Sequence, residues 1–154
     1  MHKADETKDP AEKISQPGYQ TGKWMPAIVP GTVLNSLVHN KMYPEPYYGM
    51  NNKLDRNIIP DLAKTGREFY TYWFRTEFDV PENYKDKIVW LQVDGINYRA
   101  EIWVNGYLLG NMSGMFKPEY INITDFARIG QKNALAIKVY PVDTVSYTHL
   151  RAHE

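Results

Sequence analysis

The chain has 154 residues, no cysteine, and 18 basic residues balanced by 18 acidic ones for a formal net charge of zero. That length suits one domain with a buried core, and neutrality removes the electrostatic footprint of a nucleic-acid or anionic-membrane binder. Disulfide, zinc–thiolate and thiol-nucleophile chemistry are excluded, and no apolar run approaches the roughly 20 residues that cross a bilayer as a helix.

Residues 1–17 form a polar, unpatterned segment, expected to be mobile or laid over the domain surface. Met1–Pro10 has no hydrophobic stretch of the secretion-signal kind. The lack of cysteine suits a periplasmic or secreted bacterial setting. Trp24 to Val38 reads as extended chain, a tight turn at Val29-Pro30-Gly31, then a short helix whose Val33, Leu34, Leu37 and Val38 share a face. Residues 39–68 lose periodicity and collect breakers: Pro44, Pro46, Gly49, Pro60 and Gly66. A loop of such length inside a compact domain tends to be functional.

From Tyr70 the period changes to two. Val89, Leu91 and Val93 alternate with Trp90, Gln92 and Asp94; Ala100, Ile102 and Val104 alternate with Arg99, Glu101 and Trp103. Asn105-Gly106 is the strongest hairpin signal, since both central residues of a type I′ turn need positive φ. Asp94-Gly95 fits the same rule. Tyr120–Thr124 and Ala134–Tyr140 are two further short strands, joined by a turn or a single helical turn around Gly130. Short strands with almost no helical period predict an all-β sandwich.

Trp90 and Trp103, each opposite its strand's aliphatic set, are expected to pack in the interior rather than form an exposed stacking platform. Arg75 and Arg99 are expected to hold backbone carbonyls or acids, and Asp79, Glu82, Asp86 and Glu101 to be ordinary surface groups. Two N-glycosylation sequons, at Asn111 and Asn122, occur no more often than chance allows. Residues 144–154 break the strand pattern and read as a foreign tail. Its His149 and His153 stand at i, i+4 without a third ligand, so no metal site is drawn there.

Phe69–Pro81, Ile88–Gly95 and Asn97–Gly106 together resemble the N-terminal sugar-binding domain of glycoside hydrolase family 2. Trp24–Leu34 and Pro44–Asn52 before them, and Gly114–Pro118, Ile123–Asp125 and Asn133–Ile137 after them, extend the similarity over 18–143. The resemblance implies a jelly-roll β-sandwich of the galactose-binding type, incomplete at the C-terminus, with a corner rather than a hairpin at Asp94-Gly95. Pro44-Glu-Pro-Tyr-Tyr-Gly-Met-Asn51 is similar to a segment of the β-mannosidase and exo-β-glucosaminidase branch, with Glu45 where that branch has Asp.

The family cleaves β-glycosides with retention, using two carboxylates about 5–5.5 Å apart. Both belong to a C-terminal barrel, which the resemblance does not cover, so no catalytic residue, metal or cofactor is assigned here. The implied role is accessory: a wall of the sugar subsite, bordering the barrel. Candidate contacts are Glu45, Tyr47, Tyr48, Asn51 and Asn52, because a carboxylate and amides can fork sugar hydroxyls while a tyrosine ring covers a sugar face. The same loop could instead be structural, its tyrosines packed on a neighbouring domain. A free-standing carbohydrate-binding module, or a non-sugar interaction domain on the same superfold, are the readings from other classes.

Overall fold

The computed structural model describes residues 1–142; the expected foreign tail and its two histidines lie outside them. Among the described residues the strands are β1 (His2–Lys3), β2 (Tyr72–Asp79), β3 (Trp90–Val93), β4 (Arg99–Val104), β5 (Tyr107–Ser113), β6 (Glu119–Asn122) and β7 (Lys132–Tyr140). They form an antiparallel five-stranded sheet, β1-β2-β7-β4-β5, and a two-stranded antiparallel sheet, β3-β6. The all-β expectation holds. Since β3 and β4 lie in different sheets, the chain turns a corner at Asp94-Gly95 instead of making a hairpin.

Alternation places each side chain on the large sheet. Register pairs Phe74 with Ile137 and Ile137 with Ile102, so Phe74, Leu135, Ile137, Val139, Ala100, Ile102 and Val104 share the inner face toward β3-β6. Trp73, Arg75, Ala136, Lys138, Glu101 and Trp103 share the opposite face. The β4–β5 hairpin turns at Asn105-Gly106, with φ of +51° and +92°, as the type I′ rule requires. A Cβ on Gly106 would sit 2.2 Å from Gln16 Nε2, a contact that the side-chain end can relieve by moving, so the positive φ is the firmer reason for glycine there.

The helical face read between Val33 and Val38 becomes α2 (Val33–His39). Thr32 caps it, its hydroxyl accepting from Asn35 N at 3.0 Å. Leu37 packs with Met1 and Tyr72, and buried Ser36 accepts from Ile28 N at 3.0 Å.

Residues 1–17 are laid over the domain, and more deeply than a polar surface segment would be. Met1, Ile14 and Ser15 are buried. β1 extends the large sheet beside Tyr72 and Trp73, and α1 (Ala11–Ile14) closes its outer face, where Ile14 packs with Trp73, Trp103 and Ala136. Arg75 explains the attachment. Its Nε donates to Ile14 O at 2.9 Å and its Nη2 to Gln16 O at 2.8 Å and Glu77 Oε1 at 2.6 Å, while Glu77 also accepts from Gly18 N at 2.8 Å. The segment is held through its carbonyls, and burying Ile14 adds about 1.5–3 kcal/mol.

Two further expectations change. Trp103 is buried, but Trp90 is 55% exposed, because the small sheet has nothing among the described residues covering its outer face. Glu101 is half-buried and not an ordinary surface group: it accepts from Tyr140 Oη at 2.5 Å and Trp103 Nε1 at 3.3 Å. Asp79, Glu82 and Asp86 are exposed as expected.

Candidate functional site

The irregular segment after α2 folds on itself. Tyr48 N donates to Glu45 O, Asn51 N to Tyr48 O and Asn52 N to Pro46 O, at 3.1–3.2 Å. Asn51 Nδ2 also donates to Glu45 O at 3.0 Å, and Arg56 Nη1 to Gly49 O at 2.7 Å. Gly49 and Met50 adopt successive positive φ of +57° and +61°, which reverses the chain sharply enough for these bonds to close. The loop is therefore fixed by its own backbone, and its side chains are free to face outward.

Most of them do. Tyr47 and Tyr48 are 88% and 78% exposed, Glu45 and Asn52 are exposed, and Asn51 is half-buried. The five predicted residues thus lie on one short loop but divide by role. Tyr47, Tyr48 and Glu45 present rings and a carboxylate to solvent. Asn51 spends its amide N–H on the loop itself.

Asn52 reaches a different feature. With Pro46 it lies at the edge of a cavity of about 830 Å³ between the inner face of the large sheet, at Phe74, Ile137 and Val139, and the inner side of β3, at Leu91 and Val93. The rim adds Asp61, Asp94 and Asn97. Asp61 is itself tied down, accepting from Ala63 N at 3.1 Å as the cap of α3 (Leu62–Thr65). Nearby Tyr70 donates to Pro60 O at 2.5 Å, and burial pushes its phenol up to about 12. Sequence reasoning did not find this cavity, because its lining comes from separate strands whose alternation says "interior" without saying whether that interior is filled.

Exposed apolar side chains also occur on other loops, Val29 beside the cavity and Met115 and Phe116 after β5. Gly95 lies close under that second loop, since a Cβ there would meet Met115 O at 2.8 Å. Among the described residues, no group of three or more His, Asp or Glu is placed to hold a metal, and no helix is long and apolar enough to cross a membrane.

The antiparallel sandwich as a whole has counterparts among known proteins. Residues 5–153 match the family model described as glycosyl hydrolase 2 galactose-binding domain-like. The chain belongs to that family. It is 40% identical over 127 residues to a mannosylglycoprotein endo-β-mannosidase of Lilium longiflorum, an alignment covering 82% of this chain and 13% of that protein. It is 28% identical to an exo-β-D-glucosaminidase of Amycolatopsis orientalis, covering 84% of this chain and 12% of the relative. The crystal structure of the Amycolatopsis orientalis exo-chitosanase superposes with a TM-score of 0.76 at 28% identity, over 92% of this chain and 16% of that one. The family 2 domain therefore spans about an eighth of the curated relatives' length.

Proposed function

We propose that this family 2 domain is the accessory domain of a retaining β-glycosidase of the β-mannosidase or exo-β-glucosaminidase type, and that it does no chemistry alone. The observation that carries the proposal is the asymmetry of coverage. The similarity takes in over four-fifths of this chain but only 12–16% of the glycosidases it resembles. In this reading a separate part of a longer protein supplies the carboxylate pair. The 44–52 loop supplies one wall of the sugar subsite, at the border with that part. Tyr47 and Tyr48 cover apolar sugar faces, and Glu45 and Asn52 receive or donate to hydroxyls. Support for the wall lies in the loop's rigidity: a self-bonded loop holds its side chains in place before sugar arrives, which lowers the ordering cost of binding.

Two measurements test this. The purified chain, incubated with nitrophenyl β-mannoside, β-glucosaminide and β-galactoside, releases no nitrophenol above buffer; turnover that a point substitution here abolishes would overturn the accessory reading. In the full-length enzyme, Glu45→Ala lowers kcat/KM by about tenfold to a hundredfold, the loss of a charged hydrogen bond to a hydroxyl, with an unchanged melting temperature. Unaltered kinetics in Glu45→Ala and Tyr48→Ala together would place the loop away from the sugar.

A further inference from the structure

The small sheet has a second face that neither the fold nor the proposed subsite wall uses. Register pairs Trp90 with Asn122 and Gln92 with Tyr120, so these four side chains share the outer surface of β3 and β6, while Leu91, Val93 and Ile121 turn inward. All four are exposed, Trp90 at 55% and Tyr120 at 61%. Trp90 and Tyr120 stand diagonally across the two strands, a spacing within which aromatic rings form one surface. Among the described residues nothing packs over the outer side of this aromatic pair, and each ring keeps more than half of its surface exposed.

Size and charge select the occupant. Two strands of four residues make a face about 10 Å wide and about 13 Å long, on the order of 130 Å². A stable protein interface takes about 800 Å² from each partner, several times the area of this face. It matches one or two sugar rings. The four positions hold no charge, and the carboxylate next to them is engaged, Gln92 Nε2 donating to Asp94 Oδ1 at 2.6 Å; Glu119, paired with Val93, belongs to the inward set, where it meets Lys117 at 2.7 Å. Asn122 Oδ1 accepts from Thr124 N and Oγ1, at 3.0 and 2.7 Å, which fixes the amide with its N–H groups available. The Gln92 carbonyl is left as an acceptor. Two ring faces flanked by one amide donor and one amide acceptor complement a neutral pyranoside, whose C–H face stacks while its equatorial hydroxyls reach sideways.

We infer that the outer face of β3-β6 is a carbohydrate-stacking platform for neutral β-linked glycan chains, with Trp90 and Tyr120 as the rings and Gln92 and Asn122 as the polar flanks. It lies on the side of β3 opposite the cavity and the 44–52 loop. The choice of a β-linked ligand rests on the proposed glycosidase parent. A platform of this kind would hold a polymer strand on the protein while a separate site works on its end.

The test is native gel electrophoresis of the full chain in gels containing galactomannan or glycol chitin, with dextran as the α-linked control. The expected result is retardation by at least one β-glycan and not by dextran, accompanied by a change in tryptophan fluorescence. Trp90→Ala and Tyr120→Ala each weaken retention by about tenfold, and Trp90→Ala also removes the fluorescence response. Both residues are more than half exposed, so unchanged melting temperatures in the variants show that the fold survives. No retardation by either β-glycan, or equal retardation of wild type and both variants, overturns the platform. Tyr47→Ala and Tyr48→Ala separate this proposal from the subsite wall. If those two variants lower activity of the full-length enzyme while glycan retention is indifferent to Trp90, the platform falls and the wall stands.

Discussion

Asn105 stands at the first turn position of the β4–β5 hairpin, yet its side chain is nearly all buried and holds three parts of the molecule together. Its Nδ2 donates to Phe126 O and Asn133 Oδ1, both at 2.7 Å, and its Oδ1 accepts from Ala134 N at 2.9 Å. Asn133, also buried, accepts from Arg128 N and donates to Arg128 O and Gln131 O. Asn105→Ala removes three bonds worth about 1 kcal/mol each and leaves the Ala134 N–H buried without a partner, a further 1–3 kcal/mol. It also places alanine at φ +51°, where asparagine is tolerated and alanine costs about 1 kcal/mol. The total is about 5–7 kcal/mol, comparable with the entire stability of many domains. Asn105→Gly keeps the bond losses but relieves the dihedral, so it is expected to lose about 1 kcal/mol less. Urea unfolding with an unchanged m-value measures both. A cost below about 1 kcal/mol for Asn105→Ala, or equal costs for alanine and glycine, would refute the reasoning about the network or the dihedral respectively.

Other outcomes follow from the same geometry. Arg75→Ala is expected to release residues 11–19 while leaving β7 protected, which hydrogen exchange resolved along the chain would detect; uniform exchange throughout would show that the N-terminal segment is not held separately by that guanidinium. Burial pushes the phenols of Tyr70 and Tyr72 up to about 12 from a normal value of 10.0. The folded state keeps protons there that the unfolded chain releases, so the contribution of these two phenols is constant below pH 10 and falls between pH 10 and 12. Tyr70→Phe should flatten that decline in urea midpoint, and an unchanged slope would deny Tyr70 its part in it. At the acid end, the hydrogen bond from Arg75, then that from Gly18 N, hold Glu77 below its usual 4.5. Its contribution is present above that pH and is lost as the pH falls, a trend that Glu77→Gln should weaken.

The parts of the fold that sequence reveals are those where one physical requirement repeats along the chain. Alternation in 88–94 and 98–105 marks strands because every second side chain meets the same layer. Asn105-Gly106 marks a hairpin because two consecutive residues need positive φ. β5 is harder to see: Tyr107-Leu108-Leu109-Gly110 does not alternate, and the register slips between Ile102 and Trp103 opposite it. The N-terminal segment escapes notice for another reason. It enters the core with isolated residues, Met1 and Ile14, and Arg75 grips its carbonyls, which every residue has, so no side-chain pattern announces it. Trp90 reads as interior yet stands exposed, because alternation shows which residues share a face, not whether that face is covered. The candidate loop was visible as a run of breakers, but the locking of Asn51 to Glu45 O depends on a chain reversal at Gly49 and Met50 that no local spacing specifies.

The two sheets differ in what covers them, and that difference places the exposed chemistry. The large sheet is packed on its outer face by Ile14 and its neighbours, and on part of its inner face by Leu37 and Met1. Side chains between two such layers have little freedom to meet a ligand. The small sheet is one layer thick among the described residues, with the cavity under it and solvent over it. Its outer aromatics face that solvent, while the 44–52 loop reaches the cavity beneath through Pro46 and Asn52. A rigid sheet beneath a thin, loop-rich layer gives exposed rings fixed positions without requiring them to support the core. On that argument, substitutions at Tyr47, Tyr48, Trp90 and Tyr120 change binding before they change stability. Substitutions at Asn105, Asn133 and Trp103 do the reverse.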